Sequence, residues 1–126
     1  MIVIIPARAG SKRIKKKNIK LFKGKPIIYW IIKELKKNKR IKSIVVTSDD
    51  KKILNLCKKY SVSETIKRSK NLSSDKIPFQ RVIKDTIKKL KIKNKNRQKI
   101  LVVYPCSFFL KNFYIFKADN ILRKNP

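Results

Sequence analysis

Three short runs of nearly pure apolar, β-branched sequence constrain this chain most: Ile2–Ile5, Ser43–Thr47 and Ile100–Tyr104. None alternates between apolar and polar residues, so each reads as a strand buried on both faces, the signature of a parallel sheet covered by helices. Helical spacing fills the intervals. Pro26 suits the first turn of a helix reaching Asn38, with Ile27, Ile28, Ile31, Ile32 and Leu35 on one broad apolar face and a Lys-rich end that complements the helix C-terminus. Ser48, Asp49 and Asp50 supply N-cap chemistry for a helix through Tyr60, with Ile53, Leu54 and Cys57 inward. A further strand is predicted over Val62–Ile66. From Pro78 the spacing predicts the clearest amphipathic helix of the chain, with Phe79, Val82, Ile83, Ile87 and Leu90 on its inner face. A polar linker follows over 91–98, and Phe113–Arg123 forms a last helix. Strands alternating with helices imply one open α/β domain over residues 1–126, with parallel strands joined by right-handed crossovers.

In such sheets, ligands bind outside the carboxyl ends of the strands. Three segments fall there: the loop Ala7–Asn18, the Thr47–Asp50 turn and the Tyr104–Ser107 turn. The first is the most informative. Pro6 ends the opening strand, and Ala-Arg-Ala-Gly-Ser-Lys-Arg follows, small residues studded with cations. Small side chains let backbone N–H groups near Ala9, Gly10 and Ser11 approach phosphate oxygens, while Arg and Lys neutralise the charge. The loop is neither GxxxxGK[ST] nor GxGxxG, since Gly10 and Gly24 are the two glycines of the chain. A solvated basic turn is the plain alternative.

Composition adds limits. The formal charge is +29, from 36 Lys and Arg against 7 Asp and Glu. Lys is spread along the chain and not gathered in one block, which fits compositional bias and solubility, so a specific nucleic-acid partner is not expected. No apolar run is long enough to cross a membrane, and the chain opens on a strand without a basic leader, so a cytoplasmic protein without a membrane partner is expected. Cys57 and Cys106 are far apart and no His is present, which argues for reduced thiols and against zinc.

Placed in order, several segments resemble one family. Ile5–Asn18, IPARAGSKRIKKKN, is similar to the N-terminal signature of the acylneuraminate cytidylyltransferases. GKPIIYW at Gly24–Trp30, VVTSDD at Val45–Asp50, KRSKNLSSDKIPFQRVIK at Lys67–Lys84 and YPCSFFL at Tyr104–Leu110 resemble later segments of that family in register. The Ser11–Ile19 form, the Asp75-to-Pro78 spacing and the Tyr104-Pro105 pair look closest to members directed at pseudaminic acid, with the sialic acid enzymes as neighbours. The resemblance implies a Rossmann-like, mostly parallel sheet of the nucleotide-diphospho-sugar transferase type, here as its N-terminal nucleotide-binding part.

It also implies a reaction in which CMP passes from CTP to a nine-carbon 2-keto sugar acid and pyrophosphate leaves, with Mg²⁺ as cofactor. By position, Arg8 and Lys17 are the implied catalytic residues. Arg8 holds the triphosphate with the backbone around Ala7, Ala9, Gly10 and Ser11, and Lys17 stabilises phosphate charge in the transition state. Asn18 bonds the nucleotide or orients the loop, Arg68 lies on the nucleoside side, and Ser107 is a further nucleotide contact. Lys12, Lys15 and Lys16 read as solvated loop cations and Asp49 as a helix cap. Departures are Ser69 and Phe108 in place of Pro, Phe79 in place of Thr, and Cys106 in place of Thr. The family's metal aspartates are expected outside this chain. The chain therefore reads as a nucleotide-binding half that acts with a homo-oligomeric partner or a complementary C-terminal polypeptide. The alternatives are an inactive CTP-binding remnant or a basic nucleic-acid-binding protein.

Overall fold

A computed structural model describes residues 1–90, 92 and 98–125. The expected linker over 91–98 lies outside the described residues, apart from Ile92 and Gln98. The apolar runs form β1 (Ile2–Pro6), β4 (Ser43–Ser48) and β6 (Ile100–Val102), and β5 (Glu64–Lys67) completes a parallel sheet in the order β5-β4-β1-β6. β1 is central, with Val3 opposite Ile44 and Ile5 opposite Val46. Helices α1 (Ile27–Lys36), α2 (Lys51–Lys59), α3 (Phe79–Lys89) and α4 (Asn112–Lys124) alternate with the strands. The expected elements are all present, with ends shifted by one or two residues, as capping and fraying commonly do.

Because side chains alternate across a strand, the sheet has two apolar faces. Val3, Ile5, Ile44 and Val46 pack with Ile28, Ile31, Ile32 and Leu35 of α1, Ile53 and Cys57 of α2 and Ile115 of α4 in one buried cluster. Ile4 and Val45 point to the other face, where α3 contacts β1. Here the sequence expectation is corrected. Of the five apolar positions assigned to the inner face of α3, only Val82 is fully buried, joined by Thr86, while Phe79, Ile83, Ile87 and Leu90 are half-buried. Helical periodicity identifies an apolar stripe, but burial needs a neighbouring element to cover it. Burial raises the Cys57 thiol pKa to about 12, so this cysteine is an inert core residue.

One element was not anticipated. Leu21–Phe22 (β2) and Lys25–Pro26 (β3) form a two-stranded antiparallel hairpin between β1 and α1. Its turn places Lys23 at φ 46° and Gly24 at φ 72°, the paired left-handed conformation that a two-residue hairpin loop requires and that Gly adopts without strain. The Trp30 indole N–H donates to the Phe22 carbonyl at 2.9 Å and fastens the hairpin to α1.

At the end of the sheet opposite those carboxyl termini, Asp119 of α4 gathers three cations. Its carboxylate accepts from Arg40 at 3.0 Å, Lys99 at 2.6 Å and Arg123 at 3.1 Å, and the residue is 2% exposed. α4 also lacks a cap of its own, and Glu34 of α1 supplies one by accepting from the Asn112 backbone N–H at 3.4 Å. Together these bonds tie α4 to α1, the α1–β4 loop and the start of β6. Asp119→Asn is expected to cost about 2 kcal/mol, below the cost of breaking a fully buried pair because the cations are partly solvated. The Lys99 and Arg123 hydrogen bonds hold the Asp119 carboxyl below the usual carboxylate range. Its stabilisation is therefore complete above about pH 4 and is lost as pH falls through the lowered folded value. Thermal melts of both proteins between pH 7 and 3 check this: their Tm difference should shrink only at the acid end.

Candidate nucleotide-binding site

The chain leaves β1 at Pro6 and turns across the carboxyl ends of the sheet. The Ala7 N–H donates to the Thr47 carbonyl at 2.9 Å, which continues the β1–β4 ladder one step and aims the loop outward. The loop returns through a left-handed residue, Lys16 (φ 52°), into a 3₁₀ turn over Lys17–Ile19. Asn18 is buried there, and its side-chain N–H donates to the Arg8 carbonyl at 2.8 Å. Of the two roles implied for Asn18, orienting the loop is the one this bond performs. Asp49 accepts from the Ala9 N–H at 2.9 Å, whereas Asp50 caps α2 by accepting from the Lys52 N–H at 2.7 Å. Asp49 is thus a loop anchor and not the helix cap, and one of the three backbone donors assigned to phosphate is already engaged. Gly10 has no positive φ, and a Cβ built on it would meet nothing within 4 Å.

A cavity of about 330 Å³ lies beneath this loop. Its wall includes Pro6, Arg8, Ser11, Lys17 and Asn18 from the loop, Arg68 after β5, Ser73–Asp75 before α3, Val82 and Phe79 of α3, and Tyr104, Pro105 and Cys106 after β6. Three carboxyl-end connections of the sheet, those after β1, β5 and β6, thus converge on one space. Ala9 and Gly10 line an adjoining cavity of about 350 Å³, which shares Arg8, Ser11 and Asn18 with the first. Ala7 is fully buried under the loop. Ser107 is not part of either wall: its backbone N–H and carbonyl close successive turns with Tyr104 and Leu110, and its neighbour Cys106 faces the cavity instead.

Arg68 is the most unusual group in this wall. A surface arginine was one reading of it, yet it is 5% exposed. Among the described residues its side chain makes one hydrogen bond, a long 3.3 Å contact from Nη2 to the Thr47 carbonyl, and its Nε is buried with no partner, as is Thr47 Oγ1. Burial lowers the guanidinium pKa from its ordinary value, and nearby Arg8 pushes the same way. A buried, under-bonded cation on a cavity wall has the capacity to take an acceptor from a ligand.

Sequence reasoning missed Asp75. It pairs with Arg8 and with Lys12, the latter at 2.7 Å, while the Lys12 side chain stays 83% exposed, a solvated loop cation. In the sequence Asp75 only marks a spacing, and its contact with Arg8 spans 67 residues of chain. Phe79 and Tyr104 stack at a tilt with ring centroids 5.4 Å apart and form the aromatic rim. The donor set does not suit Mg²⁺. The sole carboxylate of this wall is Asp75, already engaged by two cations, and no group of three or more His, Cys, Asp or Glu able to hold a metal occurs among the described residues.

Fold and site together define a Rossmann-like α/β domain with a cationic cavity at the carboxyl ends of its strands. The chain belongs to the cytidylyltransferase family, whose model matches residues 2–104. It is 36% identical over 103 residues to the pseudaminic acid cytidylyltransferase of Campylobacter jejuni subsp. jejuni serotype O:2, covering 82% of this chain and 44% of that one. It is 32% identical over 111 residues to the CMP-N,N'-diacetyllegionaminic acid synthase of Legionella pneumophila subsp. pneumophila, covering 88% and 48%. The solved structure of CMP:2-keto-3-deoxy-manno-octonic acid synthetase complexed with CTP superposes with a TM-score of 0.81 over 99% of this chain and 48% of that one, at 16% identity, which speaks to the fold alone. The chain thus spans about half the length of the relatives it matches.

Proposed function

We propose that this chain binds CTP and forms the nucleotide half of an enzyme that transfers CMP to a nine-carbon 2-keto sugar acid of the pseudaminic or sialic type. The observation that carries this reading is the convergence of Arg8, Lys17, Asn18 and Arg68 on one cavity in a cytidylyltransferase-family fold. The anomeric hydroxyl of the sugar acid attacks the α-phosphorus, the α–β bridging oxygen departs with pyrophosphate, and negative charge grows on the transferring phosphoryl group. Positioned cations lower that barrier by stabilising charge already in place when it develops. Arg8 serves the triphosphate, Lys17 the developing charge, and Arg68 the nucleoside. No metal-held step is assigned to these residues.

The sugar acid and Mg²⁺ belong to a further part of the fold, supplied as a continuation of the chain or a complementary polypeptide. An available docking area supports this. β6 is an edge strand among the described residues, and Phe109, Phe113, Tyr114, Ile121 and Leu122 are all more than half exposed on and beside α4. Calorimetry with CTP, UTP, ATP and GTP tests the nucleotide assignment: CTP should bind at least about tenfold more tightly, and equal affinities would sink it. Pyrophosphate release from CTP and a 2-keto sugar acid, by the chain with its complement, tests the reaction.

A second check uses Cys106, which is exposed on the cavity wall while Cys57 is buried with its pKa raised. Iodoacetamide at pH 8 should label the native protein at Cys106 alone, and saturating CTP should slow that labelling several-fold. Mass spectrometry of the labelled peptides reads both outcomes.

A further inference from the structure

Asp75 is a carboxylate seated on the loop cations at the cavity wall. It is the sole acidic residue of the cavity wall in a chain with seven acids and 36 cations, and it is paired with two loop cations at once, Arg8 and Lys12. The pairing closes the gap between the β1 loop and the turn before α3, a turn held locally by the Ile77 N–H donating to the Ser74 carbonyl at 3.2 Å. Neither partner is locked in place. The side chains of Arg8 and Asp75 are 38% and 34% exposed and that of Lys12 is 83% exposed, so the pairs are solvated and weak enough to exchange. A carboxylate and a phosphate oxygen make the same charge-assisted bonds to a guanidinium, and both cannot occupy one site without like-charge repulsion.

We propose that Asp75 is a displaceable internal counter-ion of the phosphate-binding cations, released from Arg8 and Lys12 when a polyphosphate enters and returned when it leaves. The inference rests on the reading of this cavity as the triphosphate site. Its physical consequence is selectivity. A chain of charge +29 attracts any polyanion, and a carboxylate already seated on the site's cations makes a ligand compete for them. Because one carboxylate reaches both cations, a ligand that displaces it must satisfy both, and the higher charge of a polyphosphate favours it over a monoanion.

The test uses inorganic tripolyphosphate in EDTA as the probe, so that neither the base nor a metal contributes. Asp75→Asn should bind it about three- to tenfold more tightly than the native chain, as expected when two solvated ion pairs no longer compete. Glu64→Gln, which changes net charge equally at an exposed position on β5, should leave affinity within about twofold. In an Arg8→Ala, Lys12→Ala background, Asp75→Asn should change nothing. Unchanged or weaker binding by Asp75→Asn, with circular dichroism showing native helix content, would overturn the counter-ion role while leaving the cavity assignment standing. Undiminished tripolyphosphate binding by Arg8→Ala alone would overturn both. Should Asp75→Asn misfold, Asp75→Ser read against the same controls decides the question.

Discussion

Arg8→Ala is expected to weaken CTP binding by about 30- to 100-fold, the loss of ~2–3 kcal/mol that charge-assisted bonds to phosphate contribute. The size follows from placement. Arg8 is the loop cation whose following peptide unit is held at both ends, by Asn18 on the Arg8 carbonyl and by Asp49 on the Ala9 N–H, so its side chain meets the cavity from an anchored base. Preorganised donors lose little entropy on binding. Fold stability should barely change, because the ion pair lost with Asp75 is solvated. The comparison that matters is Lys39→Ala, a cation outside both cavities. If bulk charge alone drew CTP in, the two variants would lose equally, by about twofold, and 0.3 M salt would erase the binding of each. A selective loss in Arg8→Ala, measured at physiological ionic strength, separates a site from a field.

The fold was largely legible because its strands are unusually plain. Val3, Ile4 and Ile5 have no polar residue among them, and neither do Ile44, Val45 and Val46, which leaves buried parallel strands as the natural outcome. The hairpin at Leu21–Pro26 escaped because two-residue strands carry no periodicity, and its one signal was Gly24 between short apolar and basic pairs. The partly covered face of α3 escaped for a different reason. Ile83 and Ile87 look like core residues in sequence, yet they are half-buried, because an apolar stripe does not say how much of it neighbouring elements cover.

The site divides along the same line. Arg8, Ser11, Lys17 and Asn18 sit in one short loop, so a contiguous motif could reveal them. The Arg8–Asp75 pair could not be read that way, since nothing local to either residue records a partner 67 positions distant. Ser107 and Cys106 show how fine the remaining ambiguity was. A turn places adjacent residues on opposite sides, and the sequence alone does not say which side faces the ligand.

Arg68→Met should make the fold more stable and the binding much worse. A buried guanidinium is costly unless its donors are met, and here Nε has no partner while Nη2 makes a single 3.3 Å bond. The acceptor of that bond loses nothing when Arg68 goes, because the Thr47 carbonyl also accepts from the Ala7 N–H at 2.9 Å. Methionine keeps the straight aliphatic stem and fills the space with an adaptable apolar end. Stability should rise by ~1 kcal/mol, seen as an increase of about 3–5 °C in Tm. CTP affinity should fall by about 30-fold or more, because the cavity would lose a buried cation whose Nε has no internal acceptor. A purely structural arginine predicts the reverse, a lower Tm with affinity little changed. Measured together, the two signs decide whether the chain keeps a strained buried charge for its ligand, as sites that trade stability for binding do.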